Sequence, residues 1–123
     1  MNNRRKPAES DREWWALLKS KDNTFIRSMP DWRAAIANPK TNPLRGCDSR
    51  TIQHFTKSLK FKNGGLAHAD YSEVAKKLTY AEFKQLWATF GLGMRIFADH
   101  DGYRCESRGT CTISPSKICT SNC

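Results

Sequence analysis

Asp99, His100 and Asp101 form the densest group of side chains suited to proton transfer in this sequence. An imidazole flanked by two carboxylates can hold a divalent cation, or the carboxylates can poise it as a general base. The dipeptide Asp-Gly at 101–102 is equally typical of an exposed turn. We therefore keep His100 and Asp101 as the only, and weak, catalytic candidates and favour a turn at this position.

His100-Asp101, followed by Gly102 and Tyr103, resembles the His-Asp pair of the small secreted phospholipases. That resemblance implies a small helical, disulfide-bonded hydrolase that uses His100 and Asp101. The sequence departs from that family because Gly102 follows the pair directly, and because no glycine-rich calcium loop precedes it. The chain also has no Walker loop, G-x-S-x-G or H-E-x-x-H motif. A hydrolase is therefore an alternative, and a non-enzymatic protein is favoured.

Four of the five cysteines are concentrated near the end of the sequence, at Cys105, Cys111, Cys119 and Cys123. Two disulfides would suit a tail that has no core of its own. Zinc held by the four thiolates is the less favoured alternative, because such sites usually present C-x2-C knuckles and this chain has none. No other cofactor is expected. Cys47 is expected to be a free thiol or the partner of a tail cysteine.

Hydroxyl side chains are interleaved with these cysteines, at Thr110, Thr112, Ser114, Ser116, Thr120 and Ser121. This composition, over about residues 103–123, resembles the core region of a lanthipeptide precursor. The resemblance implies that Ser and Thr are dehydrated and then accept cysteine thiols to form thioether rings. A modified-peptide precursor is therefore a further alternative function.

The chain carries 21 Lys and Arg against 12 Asp and Glu, a net charge of +9. Such an excess favours an anionic macromolecule as partner, either nucleic acid or an acidic protein surface. The cations are dispersed, since only Arg4-Arg5-Lys6 forms a run and only Lys76-Lys77 forms a pair of lysines. These five residues are candidate binding residues.

Trp15 is a further candidate, together with Arg12 and Lys19 on the same predicted helix. Trp14 belongs to the apolar stripe of that helix, and adjacent residues point in different directions. Trp15 should therefore be partly exposed between two cations, which suits contact with a protein or with unpaired bases. Packing of Trp15 under the N-terminal arm or the tail is the equal alternative.

Helix caps and apolar periodicity predict four or five short helices. The first begins at a capping box of Ser10 and Glu13. The second has Pro30 in its first turn, and the third is capped by Asp48 or Ser49. The third ends at Asn63-Gly64-Gly65, where a tight hairpin is the alternative.

Two further helices are predicted more firmly. Tyr71, Val74, Ala75 and Leu78 form a complete apolar face, and a capping box of Thr79 and Glu82 opens the next helix. That last helix carries Phe83 to Phe90 and ends at Gly91. The segment from Met94 to Phe97 is expected to form a short strand or one more turn.

These observations predict an all-α domain of four or five short helices around an aromatic core, with an irregular cysteine-rich C-terminal extension. We expect a flexible basic arm over 1–9, the helical domain over 10–98 and the tail over 99–123. The core is expected to use Trp14, Trp32, Phe55, Tyr71, Phe83, Trp87 and Phe90.

The predicted function is that of a small basic binding protein for an anionic macromolecule. The alternatives are a disulfide-stapled secreted effector or protein-interaction protein, the precursor and the hydrolase. No transmembrane run or signal region is visible. We expect a cytoplasmic protein, or one secreted without a visible signal peptide, and the tail cysteines favour an oxidising compartment. The oligomeric state is left open.

Overall fold

The protein is a mixed α/β domain in which five helices pack with a four-stranded antiparallel sheet. The computed structural model describes residues 6–107, 110–120 and 122–123. Its helices are α1 (Asp11–Lys19), α2 (Met29–Ile36), α3 (Ser49–Ser58), α4 (Tyr80–Thr89) and α5 (Met94–His100). Its strands are β1 (Lys60–Lys62), β2 (Gly65–Asp70), β3 (Asp101–Ser107) and β4 (Thr110–Cys119), in the order β1-β2-β4-β3. The prediction of an all-α helical bundle is therefore wrong.

The predicted helix starts are confirmed at four places. Ser10 caps α1, although the Glu13 carboxylate accepts from the amide of Glu9 and not from that of Ser10. Asp48 caps α3, and Thr79 caps α4 in a complete capping box. Pro30 lies in the first turn of α2. Local hydrogen bonding alone sets these positions, since each cap satisfies amides that the first turn leaves without a helical acceptor.

The predicted helix over Tyr71 to Leu78 is wrong, because only a 3-10 turn, Val74–Lys76, forms there. The Tyr71 amide donates to the carbonyl oxygen of Ser116, which extends the pairing of β2 with β4 past Asp70. The chain leaves the sheet only at Ser72, and α4 begins at Tyr80.

The hairpin alternative at Asn63-Gly64 is correct. Asn63 and Gly64 both have positive φ, 53° and 84°, and Lys62 pairs with Gly65 across the turn. This is the two-residue connection whose twist matches that of antiparallel strands. Helix α3 therefore ends at Ser58, before the turn.

The prediction of an irregular C-terminal extension is wrong, because this segment forms the hairpin of β3 and β4. Strand β4 pairs with β2 through His68↔Cys119 and Asp70↔Lys117, so the tail completes the sheet. The backbone also bonds to β2 one residue after the end of β4, since the Thr120 amide donates to the Ala67 carbonyl oxygen. Partners some fifty residues apart along the chain are invisible to local periodicity, which is why the sequence analysis missed this sheet.

The aromatic core is as predicted. Trp14, Trp32, Phe55, Trp87 and Phe90 are fully buried. Tyr71 and Phe83 are half-buried and pack against them. The Trp32 indole donates to the hydroxyl of Thr56 at 2.8 Å, which satisfies its only polar atom. The core holds α1, α2, α3 and α4 against the sheet.

Different interactions hold the segment around Ala8 and the C-terminal tail against the rest of the fold. Of the predicted arm over 1–9, residues 1–5 lie outside the described residues, whereas Ala8 is buried and bridges Leu92. At the other end, the four tail cysteines form the disulfides Cys105–Cys123 and Cys111–Cys119. The thiol of Cys47 is free.

Candidate functional site

The carboxylates and imidazole at 99–101 do not converge. The His100 ring bonds to the Asp11 carboxylate, with Nε2 2.8 Å from Oδ1, which links the end of α5 to the start of α1. Asp101 instead accepts a hydrogen bond from the Tyr71 hydroxyl. Burial and this hydrogen bond raise the pKa of Tyr71. Asp99 is exposed. Each side chain of the pair His100 and Asp101 therefore holds a different part of the fold.

No nucleophile accompanies His100 in the part of the chain that the structure describes. Its hydrogen-bond partner there is Asp11, and no Ser, Thr or Cys side chain bonds to the ring. Cys47 lies elsewhere, at the start of α3, and burial raises the pKa of its thiol. A raised pKa disfavours the reactive thiolate. The geometry therefore provides no assembled set for covalent hydrolysis.

A groove of about 810 Å³ lies between α2, the loop that follows it and α4. Its polar lining includes Asp31, Lys40, Arg45 and Glu82, so both signs of charge are present. The described lining contains no histidine, cysteine or serine. The groove is recessed, and no single sign of charge dominates its lining.

Trp15 lies between Arg12 and Lys19 on one face of α1, because these positions are spaced by three and four residues. Both cations are exposed, whereas Trp15 is half-buried and packs against the core. Asp11, one turn before Trp15, meets His100 at the start of the tail hairpin. Only part of the indole is therefore presented beside the two cations.

The remaining predicted binding residues are scattered over the molecule. Lys6, Lys76 and Lys77 are exposed, and Lys76 forms an ion pair with Glu73 at 3.4 Å. Arg4 and Arg5 lie outside the described residues. Part of the predicted charge is thus neutralised locally.

A more coherent basic surface, which the sequence analysis missed, follows α3 into β1. We call it the α3–β1 strip: Arg50, His54, Lys57, Lys60 and Lys62. The first three are spaced by four and three residues on α3, so they share one face of the helix. In β1, Lys60 and Lys62 flank half-buried Phe61. Lys62 lies on the opposite side of the strand from Phe61, and a register shift separates Lys60 from Phe61. All five side chains are exposed.

The acids that flank this strip in the sequence form no ion pair with it among the described residues, although the charge of Asp48 acts on Arg50 and that of Asp70 on His54. Residues 49–69 contain no Asp or Glu. The nearest acid in the sequence on one side, Asp48, uses its carboxylate to cap α3. On the other side Asp70 forms an ion pair with Lys117 at 3.6 Å. Among the described residues, Arg50, Lys57 and Lys60 have no ion-pair partner.

Charges of both signs act on His68 at the β1 end of the strip. Burial is the main cause that lowers the pKa of His68. The charges of Lys60 and Lys117 lower it further, whereas the hydrogen bond to the Ser58 carbonyl oxygen and the charge of Asp70 oppose the shift. The sequence feature that could have revealed the strip is the absence of acidic residues over twenty-one positions. The cations themselves are three or four residues apart on α3, so they form no continuous run in the sequence.

The sulfur atoms of the tail form a compact cluster. The Sγ atoms of Cys105, Cys119 and Cys123 all lie within 4.8 Å of one another, and Cys111 is bonded to Cys119. Cys119 and Cys123 are buried, at 1% and 6% exposure. The cluster lies near the end of β1, where Lys62 Nζ donates to the Cys123 carbonyl oxygen at 2.9 Å.

Comparison with known proteins identifies no relative: no family model, curated protein or solved structure matches the chain. No helix within the described residues is long and apolar enough to cross a membrane.

Proposed function

We propose that this protein is a non-enzymatic nucleic-acid-binding protein that contacts phosphates through the α3–β1 strip. The observation that carries the proposal is a row of exposed cations in a segment with no acidic residue. Cations that are already paired would have to break a contact before binding phosphate, whereas Arg50, Lys57 and Lys60 have none to break within the described chain. Phosphate binding then releases counterions from the nucleic acid, which drives association.

The dimensions of the strip suit contact with several phosphates. Arg50 and Lys57 are separated by about 10 Å along the axis of α3. Lys60 and Lys62 are separated by about 7 Å along β1. A duplex carries one negative charge for about every 1.7 Å of its axis, so the strip can face several charges at once.

Nucleic acid is favoured over an acidic protein as the partner. Stable protein interfaces usually bury aromatic or large apolar anchors at their centre. The exposed large apolar residues of the described chain are Tyr80, Tyr103 and Ile113, and none belongs to the strip. Phosphate binding needs only charge and hydrogen-bond donors. Trp15 with Arg12 and Lys19 offers a second contact on α1, where a partly presented indole can stack on an unpaired base.

The test is a binding titration with a labelled duplex DNA and its single strand at low salt. The variant Arg50→Gln/Lys57→Gln/Lys60→Gln removes three charges of the strip. We expect it to bind about tenfold more weakly or worse. Absence of binding by the unaltered protein, even at low salt, would overturn the proposal.

A matched control separates a specific surface from overall charge. The variant Lys21→Gln/Arg33→Gln/Lys84→Gln removes three exposed charges outside the strip, and so has the same net charge as the strip variant. We expect its affinity to fall by less than about threefold, through the long-range field alone. An equal loss in both variants would mean that the strip is not the site.

The two disulfides support residence in an oxidising compartment, since such bonds persist there and are rare where thiols are kept reduced.

A further inference from the structure

We propose that the four tail cysteines are also a zinc site, which is occupied when the two disulfides are reduced. This inference is independent of nucleic-acid binding, because none of the four proposed ligands belongs to the strip. The sulfurs are already gathered at one point, with Cys105, Cys119 and Cys123 within 4.8 Å of one another at Sγ. Cys111 completes the set through its bond to Cys119.

The spacing of three of the four sulfurs, those of Cys105, Cys119 and Cys123, is close to what a tetrahedral site requires. Zinc binds thiolate sulfur at about 2.3 Å, so two sulfurs of a tetrahedral site lie about 3.8 Å apart. In the disulfide form, the Cα atoms of the bonded pairs are 5.9 and 6.0 Å apart. Separating each bonded pair of sulfurs by about 2 Å leads to that geometry. Side-chain rotation with a small backbone adjustment supplies such a movement.

The backbone that carries the cysteines is held by bonds other than the disulfides. Cys105 and Cys111 face each other on β3 and β4, and Cys119 pairs with His68 of β2. The Cys123 amide donates to the Thr120 carbonyl oxygen. Hydrogen bonds therefore keep all four thiols together after reduction, which lowers the entropic cost of assembling a metal site.

The charge balance of the region also suits such a site. Four thiolates and one Zn²⁺ carry a net charge of −2. Lys62 Nζ lies 2.9 Å from the Cys123 carbonyl oxygen. Lys117 lies on β4 two residues before Cys119 but forms an ion pair with Asp70. The chain as a whole has a surplus of nine positive charges. Nearby cations stabilise the thiolate form of a cysteine.

The chemistry balances with a thiol as reductant. Reduction of each disulfide takes two electrons and two protons from two molecules of a monothiol, which are oxidised to their own disulfide. Four cysteine thiols result. Zn²⁺ then replaces their four protons, which are released to solvent.

The test uses the full chain, reduced without oxygen, freed of reductant and titrated with Co²⁺ as a spectroscopic substitute for zinc. We expect the visible bands of tetrahedral cobalt and thiolate charge transfer to saturate at one equivalent, and Zn²⁺ to abolish them. The oxidised protein should give neither signal. A reduced protein that binds no cobalt, or an oxidised protein that binds it equally well, would overturn the proposal.

Two single variants identify the ligands. Cys111→Ser should weaken cobalt binding at least tenfold and change the charge-transfer intensity, because one of four sulfurs is lost. Cys47→Ser is the matched control and should change nothing, since this thiol lies outside the cluster. Loss of binding in Cys47→Ser, or unchanged binding and spectrum in Cys111→Ser, would exclude the four-cysteine site.

Discussion

Arg27 shows at the scale of single residues why counting cations overstates the charge available to a partner. Its guanidinium donates to the backbone carbonyl oxygens of Leu18, Ser20, Asp22 and Gly64, at 2.6 to 2.9 Å. These bonds join the end of α1, the following loop and the turn between β1 and β2. This cation is therefore part of the fold, whereas Arg50, Lys57 and Lys60 are free to meet phosphate.

Arg27→Lys should destabilise the protein by about 2–3 kcal/mol, because an ammonium cannot reach four carbonyl oxygens in the geometry of the planar fork. Urea unfolding monitored by tryptophan fluorescence measures the change. The control Arg33→Lys, at an exposed position on α2, should change stability by less than about 0.5 kcal/mol. Equal stability of the two variants would contradict this role for Arg27.

His68 makes stability depend on pH. Burial lowers the pKa of His68 in the folded protein below its ordinary value of 6.5, so the unfolded chain binds this proton more readily. The contribution of neutral His68 is therefore complete above about pH 6.5 and is lost as the pH falls toward the folded-state pKa. The free energy of unfolding should decrease between pH 7 and 5. His68→Gln should flatten this dependence, and parallel curves for the two proteins would contradict the assignment.

At the scale of elements, the sequence predicts what is local. Ser10, Asp48 and Thr79 cap helices because their side chains accept from amides three residues away. Gly91 follows the end of α4 with a φ of 87°. The sequence also predicted the two-residue turn at Asn63-Gly64, although only as an alternative. All of these depend on interactions within a few residues.

The strands were missed because their partners are remote. Strand β2 contains Ala, His and Gly, a composition that does not mark a strand, and it is buried by pairing with residues about fifty positions later. Helical spacing is present at Tyr71, Val74, Ala75 and Leu78. The Tyr71 amide nevertheless bonds to β4, and only a 3-10 turn forms after it. For the site, the charge excess was predictable, but the exposure of Arg50, Lys57 and Lys60 without an ion-pair partner among the described residues required the structure.

The disulfides should stabilise the sheet to different degrees. Cys105–Cys123 spans 18 residues and Cys111–Cys119 spans 8, so the first restricts the unfolded chain more. Replacing the first pair with alanine should cost about 3 kcal/mol, and replacing the second somewhat less. Urea unfolding without reductant gives both values. An unchanged stability in the first variant would show that the bond does not contribute.

Intact mass in the same samples decides between disulfides and the precursor alternative. The oxidised protein should be lighter than the reduced protein by four hydrogens. Losses of the mass of water, in either sample, would instead indicate dehydrated Ser or Thr and favour thioether chemistry.

At the scale of the whole molecule, the cysteine cluster and the α3–β1 strip are separate features, for which we propose different roles. The helices and the sheet share one aromatic core, and the C-terminal cysteine cluster lies near the end of β1. The α3–β1 strip then runs over the outside of the same elements. A net charge of +9 explains attraction to any polyanion, and the strip lies in the longest stretch of the sequence without an acidic residue, 49–69.

The salt dependence of DNA binding tests this account most directly. The logarithm of the binding constant should fall linearly with the logarithm of salt concentration, with a slope of about −0.9 for each phosphate contacted in a duplex. Removing Arg50, Lys57 and Lys60 should make the slope shallower by about 2 to 3, while the charge-matched control keeps the slope of the unaltered protein. A slope that stays the same in the strip variant would contradict the central claim that these three side chains neutralise phosphates.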